Sequence, residues 1–272
     1  MKTILIILIA LTVLGVIYLL TLKGRSNTDM SRFKGYHFAH RGLFKTGVIP
    51  ENSMAAFAHA KERGFGIELD VHLLADGGLA VIHDDSLKRT TGAERNISEL
   101  TTDELGMYYL EGTSETIPNF YDVLELLGGE VPLIIELKAF NKHYEKLCKT
   151  VCDALDNYNG DYCLESFDPR CILWLKQNRP DIIRGQLSFN YFKGSKIKNI
   201  FARLFLTLLV TNIINKPDFI AYSFRDRNSL PYKISKKLWK LQGISWTIKS
   251  QQELNTAVAD DEIVIFEGFI PE

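Results

Sequence analysis

Four short apolar runs in this chain end in residues suited to holding and cleaving a phosphodiester. They are Phe38-Ala39-His40-Arg41-Gly42, Ile67-Glu68-Leu69-Asp70, Val81-Ile82-His83-Asp84 and Ile134-Ile135-Glu136-Leu137-Lys138. They offer Glu68, Asp70 and Glu136 for a divalent cation, His40 and His83 for proton transfer, and Arg41 and Lys138 for a phosphate. A phosphodiester is a stable monoanion. Cleaving it requires charge neutralisation at the non-bridging oxygens, a base for the nucleophile and an acid for the leaving alkoxide. A hard cation held by carboxylates supplies the first, with oxygen ligands at about 2.0–2.6 Å. An all-oxygen set favours Mg²⁺ or Ca²⁺ over zinc.

Each residue also has a plainer reading. An isolated Glu-x-Asp is often a solvated edge, but an acid inside an apolar run is costly to bury without a partner. Glu68 and Asp70 lie two apart, so on a strand they share a face. A lone histidine closing a strand is often a hydrogen-bonded core residue. Two beside three acids form a pair that titrates near working pH. The Arg41 fork matches a pair of phosphate oxygens, Lys138 adds a point charge, and Gly42 lets the backbone turn close to a ligand. His72 falls an even step beyond Asp70 and reads as a rim or surface residue. His37, His59 and His143 have no partner motif and read as surface or satisfied positions.

The elements that must position these groups alternate. Strand candidates are 36–40, 65–70, 79–83, 133–137, 162–166, 182–187, 219–222, 244–247 and 263–266. They are continuous apolar runs, as expected of strands covered on both faces. Helix candidates intervene. Asn52 or Ser53 caps 54–63, which Gly64 ends, and Asn141 caps 142–157. Asp168-Pro169 starts another helix, while Ser250 to Glu253 and Thr101 to Glu104 read as capping boxes. Repeated βα units imply a parallel sheet, and about eight of them an α/β protein of the (β/α)₈ TIM-barrel class. Nine candidates leave one surplus. The link from Asp70 to Leu79 is too short for a helix, and Asp76-Gly77-Gly78 reads as a tight turn. A barrel gathers functional groups at the C-terminal ends of its strands, where the acids and both histidines fall in this reading.

The chain has 272 residues, 46% hydrophobic and 24% charged, which suits one barrel domain over 35–272. A net charge of −1 and the lack of a basic tract with interleaved aromatics exclude recruitment of nucleic acid by a global field. Cys148 and Cys152 share a helical stripe with Tyr144, Leu147, Val151 and Leu155, so the cysteines read as small core residues. Residues 3–22 carry no charge and are long enough to cross a hydrocarbon core. The reading is a single-pass membrane anchor over 1–22. A cleaved signal peptide is the alternative, although no small-x-small site follows. Lys2 on one side and Lys23 and Arg25 on the other leave the side of the catalytic domain open. Residues 23–34 read as a polar tether.

One further stripe spans 190–212. Ile197, Ile200, Phe201, Leu204, Phe205, Leu208 and Leu209 follow helical spacing, preceded by Lys193, Lys196 and Lys198. The spacing predicts a barrel helix packed on the sheet. A helix lying on a membrane is the alternative.

The ordered set of motifs resembles the glycerophosphodiester phosphodiesterase family. It comprises His40-Arg41-Gly42, Pro50-Glu51-Asn52-Ser53, Glu68-Leu69-Asp70-Val71, His83-Asp84, Arg89-Thr90-Thr91-Gly92 and Glu136-Leu137-Lys138, and the likeness extends over roughly 35–266. Ser166-Phe167, Lys216-Pro217-Asp218-Phe219 and Trp246-Thr247 add to it. The resemblance implies one divalent cation, Mg²⁺ or Ca²⁺, on Glu68, Asp70 and Glu136. It implies His40 and His83 as general acid and base, Arg41 and Lys138 on phosphate, and Trp246 on the glycerol or head-group side. It implies hydrolysis of glycerophosphodiesters to glycerol 3-phosphate and an alcohol. A lysophospholipase D acting on lysolipids and a catalytically silent phospho-ligand binder are the alternatives. The end of the chain, Phe266-Glu267-Gly268-Phe269-Ile270-Pro271-Glu272, departs from the family's usual Asp-Gly close.

Overall fold

The apolar runs become strands because each can bury both faces, one inward against its neighbours across a barrel and one outward under helices. The computed structural model of the chain describes residues 1–25, 28–139 and 143–272. Nine strands form: β1 (His37–His40), β2 (Gly66–Leu73), β3 (Leu79–Val81), β4 (Leu133–Leu137), β5 (Tyr162–Ser166), β6 (Arg184–Ser188), β7 (Phe219–Ser223), β8 (Gln242–Ile248) and β9 (Ile263–Phe266). Helices are α1 (Lys2–Thr21), α2 (Met54–Glu62), α3 (Lys88–Thr91), α4 (Phe120–Leu127), α5 (Tyr144–Leu155), α6 (Pro169–Asn178), α7 (Ile200–Thr207), α8 (Asn212–Asn215), α9 (Leu230–Lys237) and α10 (Gln251–Ala259).

Eight strands run parallel in the order β1-β9-β8-β7-β6-β5-β4-β2, and β1 pairs with β2 to close the barrel. The surplus strand is β3. It folds back antiparallel on β2, pairing Val71 with Val81 and Leu73 with Leu79. The expected tight turn makes this hairpin, since Leu74 N–H donates to the Gly78 carbonyl at 2.9 Å and Gly77 N–H to that of Leu74 at 3.1 Å. The hairpin lengthens β2 beyond its predicted end at Asp70. His72 therefore lies within β2 and is buried, not at a rim.

Caps explain the helix starts. Ser53, not Asn52, caps α2 by accepting from Ala56 N–H at 3.1 Å, and Gly64 follows it at φ +70°. Asp168 caps α6, with Pro169 at its first position. The Thr101–Glu104 box is complete on a 3₁₀ turn, Thr102–Met107. The Ser250 box is half formed: Glu253 accepts from Lys249 N–H instead. Asn141, the predicted cap of α5, lies outside the described residues. All four cysteines are free and buried.

Inside the barrel Phe38, Ile134, Cys163, Phe219, Ile244 and Ile263 pack together, and Met30 and Phe33 join them. The space for two of these rings comes from glycine. A Cβ on Gly66 would lie 2.6 Å from the Phe38 ring, and one on Gly185 2.0 Å from Phe219. Of the described helices, α1 is long and apolar enough to cross a membrane. Only its last turn touches the barrel. Leu22 is fully buried among Leu209, Ile220, Tyr222, Tyr232 and Leu241. Trp239 Nε1–H donates to the Leu19 carbonyl at 2.8 Å, and Arg25 pairs with Asp218.

The 190–212 stripe does not behave as a barrel helix. α7 has no buried residue, and Ile200, Phe201 and Phe205 are 63%, 67% and 51% exposed. Only Leu209, beyond its end, reaches the core. The 3.6-residue period had specified an apolar face, not what would cover it.

Candidate active site

Glu68 and Asp70 share the inner face of β2, and Glu136 follows from β4, where it pairs in register with Asp70. One carboxylate oxygen from each lies within 4.8 Å of the others, and all three side chains are buried. His40 ends β1 in register with Glu68, and its Nε2 is 3.9 Å from Glu68 Oε2. Its Nδ1 is 2.5 Å from Glu267 Oε2, just after β9.

His83 arrives differently. The predicted strand 79–83 stops at Val81, so His83 is presented by the loop after the hairpin. Ile82 N–H donates to the Asp70 carbonyl at 3.1 Å, and His72 Nε2 lies 3.2 Å from the His83 carbonyl oxygen. His83 Nδ1 is 2.7 Å from Asp84 Oδ1.

Cations thread between the acids. Lys138 Nζ is 2.9 Å from Asp70 Oδ1 and 2.8 Å from Glu136 Oε2. Arg41 Nη1 donates to Glu51 at 2.9 Å, its Nε is 3.5 Å from Asp70, and its backbone N–H donates to Glu68 at 2.9 Å. Arg41 sits at φ +56° and Gly42 at +77°. A Cβ on Gly42 would meet the Ala56 backbone at 2.9 Å, so the tight turn after β1 brings the loop against α2. Asn52 donates to Asp70 Oδ2 at 2.8 Å and so positions an acid instead of capping a helix.

The groups surround one pocket of about 380 Å³, lined by His40, Arg41, Glu68, His83, Glu136 and Trp246. Asp70 and Lys138 lie beneath this lining, joined to it through Glu136 and Arg41. Trp246 forms an apolar wall with Phe167, their rings 5.5 Å apart and edge to face.

Charge crowding sets the protonation states. Burial, reinforced by Asp70 and Glu136, pushes Glu68 well above the usual carboxylate range. Burial raises Glu136 to about 7 although Lys138 opposes it. Burial would raise Asp70 too, but Lys138, His83 and Arg41 prevail and hold it well below its ordinary value. Burial lowers His83 to about 4 and lowers His40, which Glu267 partly opposes. The hydrogen bond with His40 is the main reason Glu267 sits at about 2. Three crowded acids, two of them raised and two already sharing the Lys138 ammonium, form a fitting oxygen site for a hard divalent cation.

Three contributors escaped the sequence reading. Glu165 on β5 is buried beside Glu136, its Oε2 has no hydrogen-bond partner, and burial with Glu136 and Asp70 raises it strongly. Glu267 orients His40. Glu51 joins Arg41 to Arg89, which also pairs with Asp84, so the chain of contacts runs on to His83. The first two carried the signal already used for Glu136, an acid within or just after an apolar run. Glu51 lies in a loop and had no such signal; it stood only within the Pro50-Glu51-Asn52-Ser53 motif of the resemblance, with no role attached.

A family model described as the glycerophosphoryl diester phosphodiesterase family matches residues 40–191. A glycerophosphodiester phosphodiesterase of Caldanaerobacter subterraneus subsp. tengcongensis is 36% identical over 159 residues, 55% of this chain and 65% of that protein. A human lysophospholipase D is 35% identical over 144 residues, 48% of this chain and 44% of that protein. The chain thus spans about half to two thirds of these relatives. Among solved structures, an Oleispira antarctica phosphodiesterase in complex with the product sn-glycerol-3-phosphate superposes with a TM-score of 0.69 at 21% identity, covering 85% of this chain and 92% of that one. A Parabacteroides distasonis glycerophosphodiester phosphodiesterase gives 0.69 at 20%, covering 85% and 92%. At such identity the likeness shows the barrel fold.

Proposed function

The chain belongs to the glycerophosphoryl diester phosphodiesterase family, and from that premise we propose that it hydrolyses glycerophosphodiesters to glycerol 3-phosphate and an alcohol. The observation that carries the reading is the set of Glu68, Asp70 and Glu136 oxygens within 4.8 Å, beside His40 and His83 in one pocket. In the proposed mechanism these three acids hold one divalent cation, Mg²⁺ or Ca²⁺. When bound, it supplies positive charge at the non-bridging oxygens of the phosphodiester.

The remaining steps belong to the chain's own groups. Glu267 and Asp84 are acceptors at the Nδ1 atoms of His40 and His83. Each therefore favours the Nδ1–H tautomer and leaves Nε2 to exchange a proton. The two imidazoles move a proton from the attacking hydroxyl onto the leaving alkoxide. Where the attacker is the neighbouring glycerol hydroxyl, a cyclic phosphate forms, and water opens it to glycerol 3-phosphate in a second proton transfer through the same pair. Arg41 directs its charge to the phosphate; Lys138, expected to share that task, is engaged by Asp70 and Glu136 and offsets their charge beneath it. Trp246 and Phe167 line the glycerol or head-group side.

Residues 1–22 serve in this reading as a membrane anchor and 35–272 as the catalytic barrel. The buried Leu22 and the Trp239 bond to Leu19 favour an uncleaved α1, because cleavage would remove barrel packing. Membrane residence also favours a second substrate class, the lysolipids. Glycerophosphocholine and lysophosphatidylcholine are assayed side by side, with choline measured as the shared product and glycerol 3-phosphate or lysophosphatidic acid as the other. Release of glycerol 3-phosphate from glycerophosphocholine supports the first reading, and turnover of the lysolipid alone supports the second. Binding of both without turnover would leave only a phospho-ligand carrier.

A further inference from the structure

The face of α7 is well made and uncovered. Asn199 caps the helix by accepting from Phe201 and Ala202 N–H at 2.9 and 3.1 Å. Ile200, Phe201, Leu204 and Phe205 then line one side of it, and all are exposed. Ile213 and Ile214 on α8 extend the patch at 44% and 55% exposure. Contiguous apolar surface of this kind marks an interaction site.

Two observations identify the occupant. The first is position. Tyr18 of α1 donates its hydroxyl to the Leu208 carbonyl at 3.2 Å, one residue beyond α7, and α1 packs beside α8. The patch thus borders the place where the candidate span leaves the barrel. The second is charge. Residues 189–217 contain five basic side chains and no acidic one. Lys193, Lys196 and Lys198 are exposed in the loop before α7, and of these Lys193 pairs with Asp226 at 3.1 Å. An apolar helix face bordered by lysines suits the interface of an anionic leaflet, where apolar groups enter the headgroup boundary and cations meet lipid phosphate.

We propose that α7, with the exposed edge of α8, is a second membrane contact that lays the barrel on the bilayer α1 enters. The contact adjoins the pocket. Thr207 Oγ1 accepts from Tyr191 N–H at 3.1 Å, and Ser188 Oγ donates to the Leu206 carbonyl at 3.2 Å. Tyr191 stacks on Phe189 at 4.2 Å, and Phe189 meets Phe167 and Trp246 edge to face. Docked this way, α7 sets the aromatic rim of the pocket beside the lipid headgroups. The proposal rests on the anchor reading of α1 but not on the reaction.

The test uses the full chain in vesicles of phosphatidylcholine with phosphatidylglycerol. The native cysteines are all buried, so Phe201→Cys and Phe205→Cys take a nitroxide selectively at positions exposed enough to leave folding intact. Val13→Cys reports α1, and Tyr121→Cys on α4, which packs beside β3, reports a surface away from the patch. The expected result is that labels at 201 and 205 are quenched by oxygen and shielded from a water-soluble nickel chelate, while the label at 121 shows the reverse. Labels at 201 and 205 as open to nickel as that at 121 overturn the proposal. So does shielding from both quenchers with spin–spin broadening, which would put a second copy on the patch. The label at 13 reports the anchor independently of that outcome.

Discussion

His40 and His83 reach the pocket by different routes, one at the end of a barrel strand and one from a loop, yet each has a carboxylate at Nδ1. Replacing either by alanine should lower kcat/KM by about 10²–10⁴-fold, the usual range for a general acid or base, with a melting temperature close to that of the parent. Unchanged turnover in either variant removes that histidine from the mechanism. Protons also compete with the cation. Burial pushes Glu136 up to about 7 and lifts Glu68 well above the usual carboxylate range, so both hold protons, when no cation is present, at pH values where a free carboxylate has lost them. Calorimetry in buffers of different ionisation enthalpy should therefore detect proton release on cation binding, with affinity rising as pH rises through about 7. The same raised values make the ion-free protein lose stability as pH climbs from the ordinary carboxylate range toward 7, since the folded state holds protons that the unfolded chain has shed. Affinity independent of pH over 6 to 8 would contradict this protonation state. Seven of the eight expected site residues stood out because ionisable groups in or beside an apolar run demand a reason, whereas Trp246 entered only through the family resemblance. Glu51, Asp84 and Arg89 form a network between loops, and no spacing rule foretells which loops meet.

The β2–β3 hairpin carries two consequences at the scale of elements. It lengthens β2 so that His72 is buried, and it delivers His83 from outside the eight-strand circuit. The short link and Asp76-Gly77-Gly78 announced the turn, but not that the extra strand would lie antiparallel. Strands 133–137, 162–166 and 263–266 have their predicted bounds; Pro132 precedes the first, Asp168-Pro169 follows the second closely, and Gly268 follows the third. The interior also depends on missing side chains. Gly185 leaves the space that the Phe219 ring fills, so Gly185→Ala should destabilise the barrel by about 1–3 kcal/mol through overpacking. Urea unfolding measures this, and an unchanged midpoint would place residue 185 off the barrel interior. α7 marks the limit of pattern reading: its spacing was right and its expected partner was wrong.

Barrel closure brings residues 40, 68 and 136 to one pocket, and the loop after the hairpin adds residue 83. Met30 and Phe33 join the interior packing, and the last turn of α1 is lodged on the outside. Composition foretold one barrel and one apolar helix, but not how tightly the residues between them are held to it. Arg25 and Thr28 both engage Asp218, and Lys216 Nζ donates to the Lys23 carbonyl at 3.0 Å. Such long-range contacts follow only once the fold is closed. The central claim is that the three buried acids serve a cation. The most direct measurement is the rate of glycerophosphocholine hydrolysis by the full chain before chelation, in excess chelator, and after Mg²⁺ or Ca²⁺ is restored. The account predicts loss of turnover in chelator and recovery with the ion. Undiminished hydrolysis in chelator would contradict it.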